Sequence, residues 1–260
     1  MALLPDGEVT LALGGNSMHR VPLAFVRAVA HRTDLRFHLV KTAGAYDIDL
    51  LCLTGRVSAV SAGFIGYETE FGLARHYRRA VESGVTEGRE HACYTVITAM
   101  RAAAYGVSFL PVRGLNGSDL PETRGFQWVV DPYGSGDRMV AIPAIRPDLA
   151  VIHVQYADEM GNGVILGPKN EDLLMARAAR HVVLTTERIV KTAELPVPID
   201  HVDIPSVLVD GVVLAPGGAR PGSCAGEYEI DSAAVRELIE LPDTDTLATY
   251  LDRYTEGGTR

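Results

Sequence analysis

Cysteine is scarce and scattered. Cys52, Cys93 and Cys224 are the only three, with no CxxC pair and no even framework. Neither a zinc site nor a disulfide scaffold is indicated, and unpaired cysteines suit a reducing cytoplasm, the expected location. Long hydrophobic runs are missing too: none approaches the ~20 apolar residues a membrane span needs. Residues 1–6 hold no basic segment leading into an apolar run, so no signal peptide is read there. Positive charge is in short supply. Lys and Arg number 24 against 33 Asp and Glu, a formal net charge of -9, and no basic cluster offsets it. Such a surface repels a phosphate backbone, which argues against nucleic acid as a partner. It does not bar a phosphate-bearing ligand, because backbone N–H groups at a glycine loop hold an anion whatever the net charge.

What is present is ordinary globular material: 260 residues, 47% hydrophobic and 22% charged. Residues 8–13 read as a buried strand broken by Gly14-Gly15-Asn16. A helix over 22–30 follows, with Pro22 in its first turn. Strands are predicted over 35–40 and 57–62, helices over 47–53, 71–82 and 94–105. Thr42-Ala43-Gly44 reads as a loop, and Gly63 as the end of the third strand. Further strands are expected over 107–112, 138–142, 149–155, 181–185 and 206–209, with a helix over 170–179. The rhythm of strand, glycine loop and helix predicts an α/β fold with a mostly parallel sheet covered on both faces. Ligands in such sheets sit past the carboxyl ends of the strands. The segment 196–226 reads as a packed irregular extension, residues 231–254 as helical and 256–260 as frayed. The whole chain, 1–260, is taken as one domain with a C-terminal helical extension at 230–260.

Several short motifs fall at strand ends. Gly14-Gly15-Asn16, after Pro5-Asp6-Gly7 and a strand, offers either N–H donors for a ligand or a tight turn. Gly63-Phe64-Ile65-Gly66-Tyr67-Glu68 places Glu68 as an acid, a base or a clamp, or as a helix-start carboxylate favouring the macrodipole. Arg89-Glu90-His91 is read as a loop before the Ala-rich helix. Glu90 there has a helix-start explanation, and His91 is either a group titrating near neutrality or plain surface. Arg113-Gly114-Leu115-Asn116 offers a cation for an anionic acyl group, or simple turn chemistry. Asp158-Glu159-Met160-Gly161-Asn162 reads as a turn in which Gly161 and Asn162 can take positive φ, and Ala215-Pro216-Gly217-Gly218-Ala219 adds a further glycine pair.

In this order the motifs resemble the α subunits of family I coenzyme A transferases, across about residues 5–215. Asp6-Gly7 with Gly14-Gly15 resembles the family's early glycine loop. Gly63, Gly66, Glu68 and Glu70-Phe71 resemble its Ser-Tyr-Val-Gly-Glu-Asn segment followed by Glu-Phe. The run Leu110-Pro111-Val112-Arg113-Gly114-Leu115 and the 215–219 stretch resemble the glutaconate branch. The resemblance implies a Rossmann-like sheet and a β-subunit partner, often in a heterotetramer. It implies coenzyme A as a substrate, carried by an acyl-CoA and passed to a carboxylate, with no metal. In that mechanism a glutamate attacks the thioester to form an anhydride, and the thiolate returns to give a glutamyl-CoA thioester. The family's nucleophile lies in the β half within Glu-Asn-Gly, which this chain lacks, so it is expected in the partner. The roles implied for this chain are substrate and coenzyme A contacts at Gly14, Gly15, Asn16, Gly44, Gly63, Gly66, Glu68 and Arg113. Arg27 and the Leu50-Leu51-Cys52 run also resemble steroid-catabolic relatives that open a ring of a CoA thioester by hydrolysis. There a glutamate early in the Ala-rich helix region matters, and Glu90 is the catalytic candidate if the chain is of that kind. Sugar-phosphate isomerases and ligand-sensing modules of the same broad fold are a third reading; the lack of a basic N-terminal helix pair disfavours the sensor, and an isomerase would work without a partner and bind sugar phosphates.

Overall fold

The computed structural model describes residues 7–134, 136–242 and 244–255. Pro5 and Asp6 of the first motif, and the tail 256–260, lie outside them. In chain order the elements are β1 (Gly7–Leu13), α1 (Leu23–Ala30), β2 (Leu35–Gly44), α2 (Tyr46–Leu53), β3 (Val57–Ile65), α3 (Glu68–Phe71), α4 (Arg75–Glu82), β4 (Glu87–Glu90), α5 (Cys93–Ala104) and β5 (Phe109–Val112). They continue with α6 (Leu120–Thr123), β6 (Gln127–Val130), β7 (Arg138–Pro143), β8 (Leu149–Asp158), β9 (Gly163–Val164), α7 (Asp172–Ala178), β10 (His181–Val190), β11 (Gly211–Leu214), α8 (Ser232–Glu240) and α9 (Thr244–Thr255).

The main sheet runs β11-β10-β8-β1-β2-β3-β4, every neighbouring pair parallel, with β9 turning back antiparallel on β8. Its central strands are continuous apolar runs because both faces are covered. One face buries Val9, Leu11, Phe37 and Leu39 against α1, α2 and the C-terminal helices. The other buries Ala12, Val40, Ile152 and Val154 against α5 and α7. Helix α2 is buried along its whole length, Asp47 and Asp49 included, so it lacks an amphipathic stripe. The C-terminal extension is two helices, the first capped by Asp231 Oδ1, which accepts from the amides of Ala233 and Ala234 at 3.1 Å.

Several expectations need correction. Thr42-Ala43-Gly44 is not a loop: β2 runs through it to Gly44, and β3 likewise continues past Gly63 to Ile65, because the two strands pair as far as Gly44 and Ile65. The 71–82 helix is broken by Gly72, whose φ of 80° ends α3. Arg89 and Glu90 lie in the edge strand β4, paired with Ser61 and Ala62, and not in a loop. The strands expected near 107–112 and 138–142 belong to a separate antiparallel sheet, ordered β5-β7-β6, whose third strand and the adjoining α6 have no counterpart in the sequence reading. Residues 206–209 do not form a strand. Pro205 starts a 3-10 turn over Ser206–Leu208, the Asn162 side chain takes the Ser206 amide at 2.9 Å, and the strand follows at β11. Among the described residues no helix is long and apolar enough to cross a membrane.

Candidate active site

The chain winds outward in both directions from the β1/β8 pair, to β2, β3 and β4 on one side and to β10 and β11 on the other. In such a sheet the ligand crevice opens where the winding direction changes, past the carboxyl ends of those strands. The loop after β1 fills this position. Its amides are already engaged: Gly14 N donates to Val151 O at 2.8 Å, Gly15 N to Asp172 Oδ1 at 2.9 Å, Asn16 N to His19 O at 3.0 Å and Ser17 N to Ala43 O at 3.0 Å. The glycine pair is therefore a close-packed wall. A Cβ on Gly15 would lie 2.4 Å from His19 O, at a φ of +69° that disfavours any side chain.

Two buried ion pairs brace the wall. Arg20, 4% exposed, meets Asp172, 1% exposed, at 2.5 Å, and also donates to His153 O at 2.8 Å and Pro168 O at 3.1 Å. Beneath it Lys41 Nζ donates to Asp47 Oδ2 at 2.6 Å and to Gly14 O at 3.2 Å. The described non-glycine residues with positive φ are Ser17, Arg20, Glu68 and Asn170. Ser17, Arg20 and Asn170 lie in loops and Glu68 opens α3; strained backbone of this kind clusters at functional positions. His19, Arg20, Leu166, Pro168, Asn170, Ser223 and Ala225 line a pocket of about 190 Å³ beside this wall. His19 Nδ1 lies 2.6 Å from Ser223 Oγ in that lining.

The second half of the edge lies past β2, β3 and β4. Gly44 packs on the Ile48 side chain, and the Gly66 amide donates to Gly44 O at 3.0 Å. At Gly63 a Cβ would sit 2.4 Å from Cys93 N, so the missing side chain seats the start of α5 directly on β3. Cys93 is exposed. Glu90 is exposed at the end of β4, three residues before the first residue of that helix. Tyr77 stands near it: burial raises the phenol pKa, and the charges of Cys52 and Glu90 raise it further. Glu68 is exposed at the first residue of α3, with φ +59°.

Glu171, unmarked in the sequence, is half-buried before α7. Burial raises its pKa and Asp172 adds to this, while the Thr42 hydroxyl and Lys41 oppose it. Arg113 is elsewhere: it follows β5 in the second sheet and pairs with Asp137 at 3.0 Å. His91 is neither surface nor a group titrating near neutrality. It is buried, and burial followed by the charges of Arg124 and His38 pushes its pKa down to about 4.

Behind the pocket, His153 Nδ1 contacts Thr185 Oγ1 at 2.9 Å and Nε2 contacts Glu187 Oε1 at 2.8 Å. Glu187 also accepts from Tyr228 Oη at 2.6 Å and Gly217 N at 2.7 Å. Burial works to raise the Glu187 pKa, but these hydrogen bonds outweigh it and hold the carboxyl below its ordinary value. His153, Glu187 and Cys224 offer ligand atoms within 4.8 Å of one another. Hydrogen bonds already use both imidazole nitrogens, and burial pushes the Cys224 thiol up to about 12, so the group reads as a packed polar network. Sequence reading missed Asp172, Glu171 and the His19–Ser223 contact. No local signal pairs residues 157 or 204 positions apart.

Comparisons with known proteins bear on the fold and the family. The chain is 34% identical to the cholesterol ring-cleaving hydrolase IpdA subunit of Mycobacterium tuberculosis, over 91% of this chain and 84% of that one. It is 32% identical to one of the subunits of glutaconate CoA-transferase from Acidaminococcus fermentans, over 90% and 78%. Its fold superposes on a crystal structure of the decarboxylase AibA/AibB with a TM-score of 0.85 and 32% identity, over 98% and 94%. Residues 1–215 match the profile of the coenzyme A transferases, and the chain belongs to the coenzyme A transferase family.

Proposed function

We propose that this chain is the α subunit of a heteromeric coenzyme A transferase, which moves coenzyme A from an acyl-CoA to a carboxylic acid, with the nucleophilic glutamate supplied by a β partner. The family match over residues 1–215 carries the reading. The surface around the edge supports a partner there. Phe64, at the end of β3, is 47% exposed and Tyr94, in the first turn of α5, is 52% exposed. Exposed apolar residues grouped at a site are the usual mark of an interface. In the first turn of α5 the amides of Thr95 and Val96 donate to Ala92 O, which leaves those of Cys93 and Tyr94 without an intrahelical acceptor. They would favour the negative charge that develops on a thioester oxygen under attack. Gly14, Gly15, Asn16, Gly44, Gly63 and Gly66 shape the wall and the α5 seat, and Glu68 borders them. Arg113, held by Asp137, serves substrate only if the partner or the ligand releases it. We also read 1–260 as one domain, because α5 packs against both sheets.

Glu90 favours a second reading. It is a solvent-facing carboxylate at the carboxyl end of β4 with no ion-pair partner among the described residues, free to act as a base on water in a ring-opening hydrolase. One assay separates the two. The chain is co-expressed with the protein encoded beside it and offered acyl-CoA donors with and without acetate or glutarate. Acceptor-dependent exchange, with a borohydride-trapped thioester on the partner and activity retained in Glu90→Gln, supports the transferase. Acceptor-free loss of a thioester or ring bond, abolished in Glu90→Gln, supports the hydrolase. Carbon dioxide release would move the chemistry to a decarboxylase and overturn both.

A further inference from the structure

On the α5 face of the parallel sheet two side-chain nitrogens, Nε2 of His91 and Nε of Arg124, are buried without hydrogen-bond partners. His91 is 4% exposed, and its Nδ1 lies 3.0 Å from Thr95 Oγ1. The Thr95 hydroxyl already donates its one hydrogen to Ala92 O at 2.9 Å. Thr95 Oγ1 is therefore the acceptor, and His91 Nδ1 carries the imidazole proton. With a pKa near 4 the ring is neutral at pH 7, so Nε2 is a bare lone pair. That atom is buried with no hydrogen-bond partner, and so is the Nε of Arg124. Both neighbour Phe126, whose ring centroid is 5.6 Å from that of His91 and 5.7 Å from Arg124 Cζ, and Arg124 is the leading charge acting on the His91 imidazole.

The charges around them are Arg89, Arg124 and the carboxylate of Glu87, which acts on both arginines. Arg89 on β4 is bound to Glu87 at 2.8 Å. His38 on β2 contacts Ser61 Oγ on β3 at 2.9 Å, and its pKa is pushed down to about 4 by burial and then by Arg89. Glu8 and Glu87 oppose that shift more weakly, and Arg124 adds to it. Arg124 has no ion-pair partner among the described residues. A buried acceptor and a buried cationic donor left unpaired each keep their full desolvation penalty, and such groups call for a missing partner.

We propose that Arg124 and His91, with Arg89 beside them, form a binding site for a small oxyanion, a carboxylate or a phosphate group. The oxyanion gives the Arg124 guanidinium a charge-assisted hydrogen bond. Its charge favours the imidazolium form of His91, whose new Nε2–H then donates to the bound oxygen. One proton is taken up, from the oxyanion itself or from solvent, and no covalent bond changes. Glu90 is exposed and acts on Tyr77 of α4, whereas the His91 ring is buried against Thr95 and Phe126. The site thus stands apart from the acyl-CoA reading and survives its failure.

The test is nitrogen-15 NMR of the imidazoles in the full-length chain at pH 7, with His91 assigned by its loss in His91→Gln. Sodium phosphate and sodium acetate are titrated separately at ionic strength held constant with chloride. The free protein should show a protonated Nδ1 and a bare Nε2 at His91. Phosphate, acetate or both should move Nε2 saturably towards the protonated value, with half-saturation at or below about 5 mM. Affinity should rise by up to about tenfold for each unit the pH is lowered towards 6. Arg124→Gln should weaken the response at least tenfold. Arg138→Gln, on the neighbouring sheet, should leave it unchanged. If Arg124→Gln does not fold, Arg124→Lys, which keeps the charge but loses the guanidinium Nε, should weaken it several-fold. A His91 signal that is silent to about 100 mM of both anions, that responds equally to chloride, or that is indifferent to Arg124 would overturn the proposal.

Discussion

Replacing Asp172 with alanine removes the anion that holds the wall of the crevice. The carboxylate accepts the Gly15 amide at 2.9 Å and pairs with Arg20 at 2.5 Å, both partners being almost wholly buried. Breaking a buried pair from one side costs about 3–5 kcal/mol, because the other charge stays buried. Arg20 keeps two carbonyl acceptors, His153 O and Pro168 O, which pulls the figure to the low end. The orphaned Gly15 amide adds about 1 kcal/mol or more. The expected loss is therefore about 4 kcal/mol, on the order of 10 °C in Tm for a chain of this length. Asp172→Asn keeps an acceptor for Gly15 and should lose less. The double variant Arg20→Met, Asp172→Leu should recover part of the loss, since apolar pairs of similar volume replace buried ion pairs without penalty. Urea unfolding followed by circular dichroism reads all three. An Asp172→Ala protein within about 1 kcal/mol of wild type would refute the view that this pair anchors the glycine wall.

Gly63→Ala places a methyl 2.4 Å from Cys93 N and 2.5 Å from its Cα, so the start of α5 must move. We expect about 1–3 kcal/mol of destabilisation and a loss of activity on the order of 100-fold in the assembled enzyme, as small misplacements at a site produce; unchanged stability and turnover would show the seat to be slack. The acid side of the stability profile should carry His91. Its folded pKa of about 4 lies below the ordinary 6.5, so the unfolded chain binds the proton more readily between these values. Stability is then full above pH 6.5 and falls by about 3 kcal/mol as the pH drops to 4. Urea midpoints measured across that range should show a shallower slope in His91→Phe, and an identical slope would count against the buried neutral imidazole. Glu90→Gln is expected to spare acceptor-dependent exchange, an outcome the co-expression assay reads directly.

How much of this was legible in the residues differs from element to element. The apolar runs at 8–13, 35–40, 57–62 and 149–155 announced central strands because strands covered on both faces have no polar side to show. The helices at 22–30, 47–53 and 94–105 were likewise legible within a residue or so of their ends. Their alternation specified a parallel α/β sheet, and the order of the glycine motifs pointed to the family. Edge elements were harder. β4 and β6 are short and largely exposed, so their hydrogen bonds and not their side chains make them strands. The 206–209 segment has strand-like residues, yet Pro205 and the Asn162 side chain hold it in a turn.

The candidate site divides in the same way. Gly14, Gly15, Gly44, Gly63 and Glu90 were placed by chain order, since each lies at or near the end of a strand. What they do was decided by partners remote in sequence. Asp172 converts the glycine pair from a set of free donors into a braced wall, and Cys93 turns Gly63 into a helix seat. Burial against Thr95 and Phe126 takes His91 from a neutral-pH titrator to a group with a pKa near 4. By itself the sequence determined the sheet, its direction and the family, because backbone pattern and turn chemistry are local. Only the tertiary structure decided which polar groups are satisfied and which remain open, because desolvation and pairing depend on neighbours that the fold brings together from distant parts of the chain.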